Sequence, residues 1–324
     1  SLALKSDGSL WVTGANLFNQ LGTGDYKTRD SWEKVLEDVT KIACGWHHTL
    51  VLRSDGTLWG TGLNEVGQLG TGDHTKKYIF VKVFDDVEEF CGGGYHSFAI
   101  KKDGSLWGTG ANLVGQLGSG NNKNTNLWIK VLDDVIKVSS GWGHSFALKK
   151  DGSLWVTGNN EFGQLGNKSY EDKNSWIKVL DEVVEIACGA YHSMAVKKDG
   201  SLWVTGNNLF GQLGTGNNKN RNFWIKVLDD VIKITAGWGH SLALKKDGSL
   251  WATGYNKYGQ IGTGNTDDSK VWVKVLDEAI DIKAGGYHTF VILTNGLLRA
   301  CGWNTYGQLG TGENDVKISW TIVF

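Results

Sequence analysis

Short runs in which hydrophobic and polar residues alternate, each stopped by Gly, Asn or Asp, follow one another along the whole chain. In Leu202–Trp203–Val204 the flanking residues fall on one side and the Trp on the other, which is the period-two signature of a strand. No stretch sustains a 3.6-residue pattern, so the chain is expected to contain almost no helix. One unit serves for all. Residues 135–139 predict a first strand, A, that ends at Gly141–Trp142–Gly143. Residues 144–148 predict strand B, closed by Lys149–Lys150–Asp151–Gly152, where the Asp-Gly step suits a type I′ hairpin turn. Residues 153–157 predict strand C, which opens into a long Asn- and Gly-rich loop through Gly163–Gln164–Leu165–Gly166. Residues 175–180 predict strand D, and Asp181–Glu182 turn the chain towards the next strand A.

The pattern recurs with a fixed step of 48 residues. Gln20, Gln68, Gln116, Gln164, Gln212, Gln260 and Gln308 keep that step, and so do Gly14, Gly62, Gly110, Gly158, Gly206, Gly254 and Gly302. Four-stranded units of this length, seven times over, predict an all-β fold, a seven-bladed β-propeller forming a single domain over residues 1–324. A blade cannot bury both of its faces alone. Stacking against its neighbours takes the repeated strand C tryptophans (Trp11, Trp59, Trp107, Trp155, Trp203, Trp251) out of water, so these are expected between blades. The seventh unit carries Arg299 in their place, which marks that blade as the weakest or the most specialised. The first unit lacks strand A in this chain, because Ser1–Lys5 aligns with strand B. An absent innermost strand leaves an unpaired edge, so a native chain longer at one end is expected. A slower rhythm of 96 residues shows in the turn after strand A, where Gly-Trp turns alternate with turns that end in Tyr.

Composition narrows the function more than it specifies it. A net charge of −1 gives no drive towards nucleic acid or an anionic membrane, and no apolar run is long enough for a transmembrane helix. No signal peptide is visible, but the chain begins at Ser1 in mid-repeat, which leaves room for one already removed. Cys44, Cys91, Cys188 and Cys301 lack both a disulfide framework and zinc spacing, and are expected to be small buried strand residues.

Three linked sub-motifs, Gly141–Leu148 (Gly-x-x-His-Ser-x-Ala-x), Asp151–Gly158 (Asp-Gly-x-Leu-Trp-x-x-Gly) and Asn160–Gly166 (Asn-x-x-Gly-Gln-Leu-Gly), recur over essentially the whole chain. They are similar to the repeat of the regulator of chromosome condensation family. The resemblance implies a seven-bladed propeller. It also implies a choice of roles, since the family includes an exchange factor for a small GTPase that docks on nucleosomes, partner-binding domains, bacterial effectors and a β-lactamase inhibitor. This chain has no inserted hairpin of the exchange-factor kind and no basic tail. Its strand D segments carry Trp128, Trp176 or Phe80 where the family commonly has Pro, a departure that carries no functional message at the level of sequence.

In an antiparallel four-stranded blade the A–B and C–D connections share one face of the ring, and the B–C and D–A connections share the other. The second face carries acid pairs such as Asp133–Asp134 beside lysines such as Lys149–Lys150, the mark of a solvated surface. The first face carries Trp46, His47, Tyr95, Trp142, Tyr191, Trp238 and Tyr287. Aromatic residues on loops held by a rigid scaffold are favoured at protein interfaces, and these seven residues form the candidate partner-binding face. Any partner code must lie where the repeats differ, as at His47, Glu161–Phe162, Asn167–Tyr170, Lys257–Tyr258 and Arg299.

The histidines His48, His96, His144, His192, His240 and His288 sit one to a unit, with no second ligand at metal spacing on their own strands. They are expected near the central shaft, bonding backbone across blades. No metal, no cofactor and no catalytic residue is predicted, since the serines after these histidines recur as structural residues do and no unique triad stands out. The sequence thus points to a non-enzymatic propeller that binds another protein. The alternatives are an exchange-factor-like regulator of a small GTPase, and a surface or structural module that binds glycans through its aromatic ring.

Overall fold

In a computed structural model, which describes residues 1–323, twenty-seven strands form seven antiparallel sheets arranged as the blades of a propeller. Six sheets have four strands and the first has three (Leu2–Leu4, Leu10–Gly14, Arg29–Leu36). No helix occurs among the described residues. Blade 4 shows the common plan: strand A is Val135–Ser140, B His144–Lys149, C Leu154–Gly158 and D Lys173–Leu180. Pairing of B with C is unbroken, from His144 opposite Gly158 to Leu148 opposite Leu154. Strands A of successive blades lie side by side and line a central shaft.

The B–C turn differs from the expected type I′. The Gly152 N–H returns to the Lys149 carbonyl at 3.0 Å, and only Gly152 has a positive φ (82°). This is a three-residue turn ended by a left-handed glycine. Asp151 instead uses its carboxylate to accept from the Ser153 N–H and hydroxyl at 2.9 and 2.6 Å, which needs an ordinary backbone. The two-residue turn lies at the D–A connection, where Asp134 and Glu182 take positive φ.

Cores sit between blades. Phe146, Leu154, Val156 and Leu165 of blade 4 meet Val183, Ile186 and Ala195 of blade 5, with Trp203 packed at the border as expected. Strand D supplies a second tryptophan to the same core. Trp224 is buried there, and Trp128, Trp176 and Trp272 are buried in the matching cores. Its seat is the last glycine of the preceding blade's Gly-Gln-Leu-Gly. A Cβ at Gly166 would lie 2.3 Å from Trp224 Nε1, and Gly166 has a φ of 65°. The same fit joins Gly70 to Trp128 and, closing the ring from blade 7 to blade 1, Gly310 to Trp32. The strand D tryptophans, silent as sequence, are therefore inter-blade core residues.

The expectation that the cysteines are buried needs correction. Cys44, on the strand A beside blade 1, is exposed, and Cys91 and Cys188 are half-buried; Cys301 alone is buried. On the other side Ile292 is exposed and Leu298 half-buried, although the strand C counterparts of Leu298 at 58, 106, 154, 202 and 250 are fully buried.

Candidate functional site

The hub comes first, because it holds the loops in place. Each hub histidine reaches the next blade. His48, His96, His144 and His192 place Nε2 2.8–3.0 Å from the hydroxyls of Ser97, Ser145, Ser193 and Ser241. His240 reaches Thr289 at 3.1 Å, and His288 reaches Ser1 at 3.0 Å. The partner is thus a side-chain hydroxyl and not, as expected, the backbone. The backbone takes the next bond, since Ser145 Oγ donates to the Gln116 carbonyl at 2.8 Å, and the hydroxyls of Ser97, Ser193, Ser241 and Thr289 do likewise. With that proton committed, the imidazole must be the donor, so Nε2 carries the hydrogen. The Nδ1 atoms of His48, His96, His144, His192 and His240 have no partner among the described residues. A second proton there would find no acceptor, and burial pushes all six hub histidines down to about 3. These are neutral structural groups. Among the described residues no group of three or more His, Cys, Asp or Glu could hold a metal.

The C–D loops are built by one asparagine per blade. Asn160, fully buried, accepts from the Leu165 N–H at 3.0 Å and donates to Asn167 and to the Ser169 carbonyl at 3.0 Å. Amide groups suit this work because they donate and accept at once. The loop starts against the A–B turn, where the Asn159 N–H donates to the Gly143 carbonyl at 2.8 Å. The two kinds of connection therefore do share a face. Successive A–B turns are also tied to each other, as where the Trp142 N–H donates to the Ala190 carbonyl at 3.1 Å.

On that face the seven predicted residues fall into separate groups. Trp46 and Trp142, two blades apart, meet edge to face with ring centroids 3.9 Å apart, and Tyr95 stands 5.4 Å from Trp142. His47 lies 6.3 Å from Tyr95 and 4.1 Å from Phe18, and burial pushes it down to about 4. Trp46 is the most open of these, at 42% exposed. Tyr191 is separate and pairs with Phe162 at 5.4 Å.

Trp238 and Tyr287 belong to a second and larger cluster. Trp238 lies 5.5 Å from Phe210 and from Tyr287, and 6.0 Å from Tyr255. Tyr287 lies 5.7 Å from both Tyr258 and Trp303, and Trp303 lies 5.3 Å from Tyr306. Five of these residues (Phe210, Tyr255, Tyr258, Trp303 and Tyr306) come from C–D loops and lie outside the seven predicted residues, although Tyr258 stands where the repeats differ. A signal was present. Tyr255 and Trp303 stand where the other units have Ala15, Leu63, Ala111, Asn159 and Asn207.

The shaft beneath holds a cavity of about 590 Å³ with polar and charged walls, including Lys137, Glu185, Lys233 and Lys283. Charge alternates round it, with Lys41 paired to Glu89, Lys137 to Glu185 and Lys233 to Asp281 on neighbouring blades. This is a further expression of the 96-residue rhythm.

Comparison with known proteins agrees with this architecture. The sequence profile of the RCC1-like domain matches residues 85–323, and that of the regulator of chromosome condensation (RCC1) repeat matches residues 7–52, 39–68 and 55–100. No curated protein sequence matches. Among solved structures, human WBSCR16 is similar with a TM-score of 0.88 at 22% identity, over 98% of this chain and 94% of that one. Yeast RCC1 (Prp20), solved bound to Kap60, has a TM-score of 0.88 at 22% identity over 99% and 85%. Prp20p from Saccharomyces cerevisiae, described with its binding to Gsp1p and histones, has 0.86 at 22% identity over 100% and 87%. At this identity the likeness is one of fold, and with a family profile covering most of its length the chain belongs to the RCC1-like domain family.

Proposed function

We propose that this propeller is a non-enzymatic protein-binding module whose contact surface is the face bearing the A–B turns and C–D loops, with Trp46, His47, Tyr95, Trp142, Tyr191, Trp238 and Tyr287 as its anchors. One observation carries the reading: the hub link recurs from blade to blade, whereas this face is aromatic, partly open and varies among the blades. Large aromatic side chains with part of their surface in water supply contact area at low conformational cost, which is why they dominate interface energetics. The structural neighbours add a precedent of the same coarse kind, since Prp20 was solved with Kap60 bound.

The test is retention of proteins from an extract of the source organism on wild type beside a Trp46/Trp142/Trp238→Ala variant with an unchanged unfolding transition. A protein held by wild type and lost by the variant supports the reading. Equal retention by both moves recognition to the opposite, acid-and-lysine face. An exchange-factor role predicts that the chain accelerates nucleotide release from a small GTPase, and a glycan-binding role predicts sugar retention that falls with Trp142 and Trp238.

A further inference from the structure

The C–D loops of the blades differ in charge. In blades 3 and 5 the C–D loop is closed by an asparagine, with Asn124 Oδ1 accepting from the Asn112 N–H and Asn220 Oδ1 from the Asn208 N–H, both at 2.8 Å. In blades 4 and 6 the same bond is made by an aspartate, Asp172 to the Asn160 N–H at 2.7 Å and Asp268 to the Asn256 N–H at 2.8 Å. Asparagine is sufficient for the structural task, so the carboxylate brings a charge that folding does not require. The preceding residue is Lys123 in blade 3, Lys219 in blade 5, Glu171 in blade 4, where Lys173 pairs with it at 3.4 Å, and Asp267 in blade 6. The loop from 255 to 268 thus holds Asp267 and Asp268 against Lys257 alone. Neither aspartate has an ion-pair partner among the described residues, whereas Glu313 and Asp315 of blade 7 share Lys317.

Beside these charges lies the cluster of Tyr255, Tyr258, Tyr287 and Trp303. Burial first, then the neighbouring Tyr258 and Asp268, push the Tyr255 phenol up, so it stays a neutral donor and acceptor in a negative field. None of the phenol oxygens of Tyr255, Tyr258, Tyr287 and Tyr306 has a hydrogen-bond partner among the described residues. Aromatic surface, unpartnered acceptors and surplus negative charge together suit one group above others, the guanidinium. It is planar, weakly hydrated, carries five donors and stacks on rings.

Building on the protein-binding reading, we propose that the cluster on blades 5–7 is a docking site for an arginine-bearing segment of a partner protein, with Asp268 as the charge that selects it. The commitment is to a cationic segment; an acidic segment or a neutral glycan would meet the wrong charge or none.

The probes are three labelled eight-residue peptides, (Gly-Arg)4, (Gly-Lys)4 and (Gly-Glu)4, titrated against the full chain at low salt and followed by fluorescence polarisation. The arginine peptide is expected to bind best and the glutamate peptide not at all. Asp268→Asn should weaken the arginine peptide about two- to fivefold, the scale of one exposed cation contact. It should leave thermal unfolding unchanged, because asparagine already makes that bond on blades 3 and 5. Tyr258→Ala should weaken the peptide further. Asp172→Asn, the same exchange on blade 4 outside the cluster, should leave binding as it was. Absence of arginine-peptide binding to wild type, preference for the glutamate peptide, or equal effects of Asp268→Asn and Asp172→Asn would each overturn the proposal. The face reading stands or falls separately, on whether the triple tryptophan variant loses a partner.

Discussion

The hub and the loop face are made from the same repeats, at opposite degrees of uniformity. Round the hub, His144 to Ser193 is the same link as His96 to Ser145, and five such links differ by only 0.3 Å in length. On the face, the residue after the strand C glycine is Ala15, Leu63, Ala111, Asn159, Asn207, Tyr255 or Trp303. Where every copy of a residue makes the same contact, folding accounts for it. Where copies diverge while the loop keeps its geometry, folding does not choose the side chain, and recognition is free to do so.

The largest effect expected from this contrast is on stability against acid. The hub histidines are held near 3 in the fold, against about 6.5 in an unfolded chain. Above 6.5 both states are neutral and the groups contribute no pH dependence. As pH falls below 6.5 the unfolded chain takes up protons that the folded chain refuses, so stability declines until about pH 3. Six groups at about 1.4 kcal/mol per pH unit give an upper slope of about 8 kcal/mol per unit. The midpoint of thermal unfolding should therefore drop steeply between pH 6.5 and 4.5. Replacing His144 with Asn should reduce the slope by about a sixth of its value. A transition that stays level over this range would show that the hub is not the buried neutral belt described.

A pair of glycines in the A–B turn of blade 4 sharpens the contrast. At Gly141, on the hub side, a Cβ would lie 2.2 Å from His144 Cε1 and 2.4 Å from the Gly189 carbonyl oxygen. At Gly143, on the face side, it would meet Val114 Cγ2 at 3.4 Å and Asn159 Cβ at 3.6 Å, which is ordinary contact. Gly141→Ala should cost about 1–3 kcal/mol or more through overpacking, whereas Gly143→Ala should stay within about 0.5 kcal/mol. Denaturant unfolding of the two variants decides it. Equal costs would mean that the turn, and not the hub alone, is under packing constraint.

The same contrast explains what the sequence could and could not disclose. A period of 48 residues and the alternation within each unit were enough for blade number, strand order and the shared face, because these follow from local pattern and parity. The strand C tryptophans could be expected between blades, but the particular partners across blades were not open to that reasoning. The seat of Trp224 is Gly166 and the partner of His144 is Ser193, each on a different blade, and neither pairing shows within a single unit. The strand D tryptophans looked like a habit of composition for this reason. On the face, Trp46 and Trp142 could be placed by their turns, but their contact across the ring could not. Tyr255 and Trp303 were visible only as departures from the repeat, and they gained meaning once the fold set them beside Tyr287.

The smallest effect concerns the tips of the C–D loops. Leu17, Leu113 and Leu209 are 57, 70 and 61% exposed, and they occupy one position on blades 1, 3 and 5. The copies between them are Glu65 and Glu161, so the 96-residue rhythm reaches the outermost point of the face. A leucine so open contributes little to the core, and Leu113→Ser should change stability by less than about 0.5 kcal/mol. The triple replacement Leu17/Leu113/Leu209→Ser should melt with wild type. Any partner retained by wild type then tells how far its contact extends. Weaker retention by the triple variant would carry the contact surface from the aromatic clusters out to the loop tips. Unchanged retention would confine it to the clusters. A loss of stability of more than about 1 kcal/mol would break the comparison itself, because it would show packing at a position where the repeats disagree and no contact was expected.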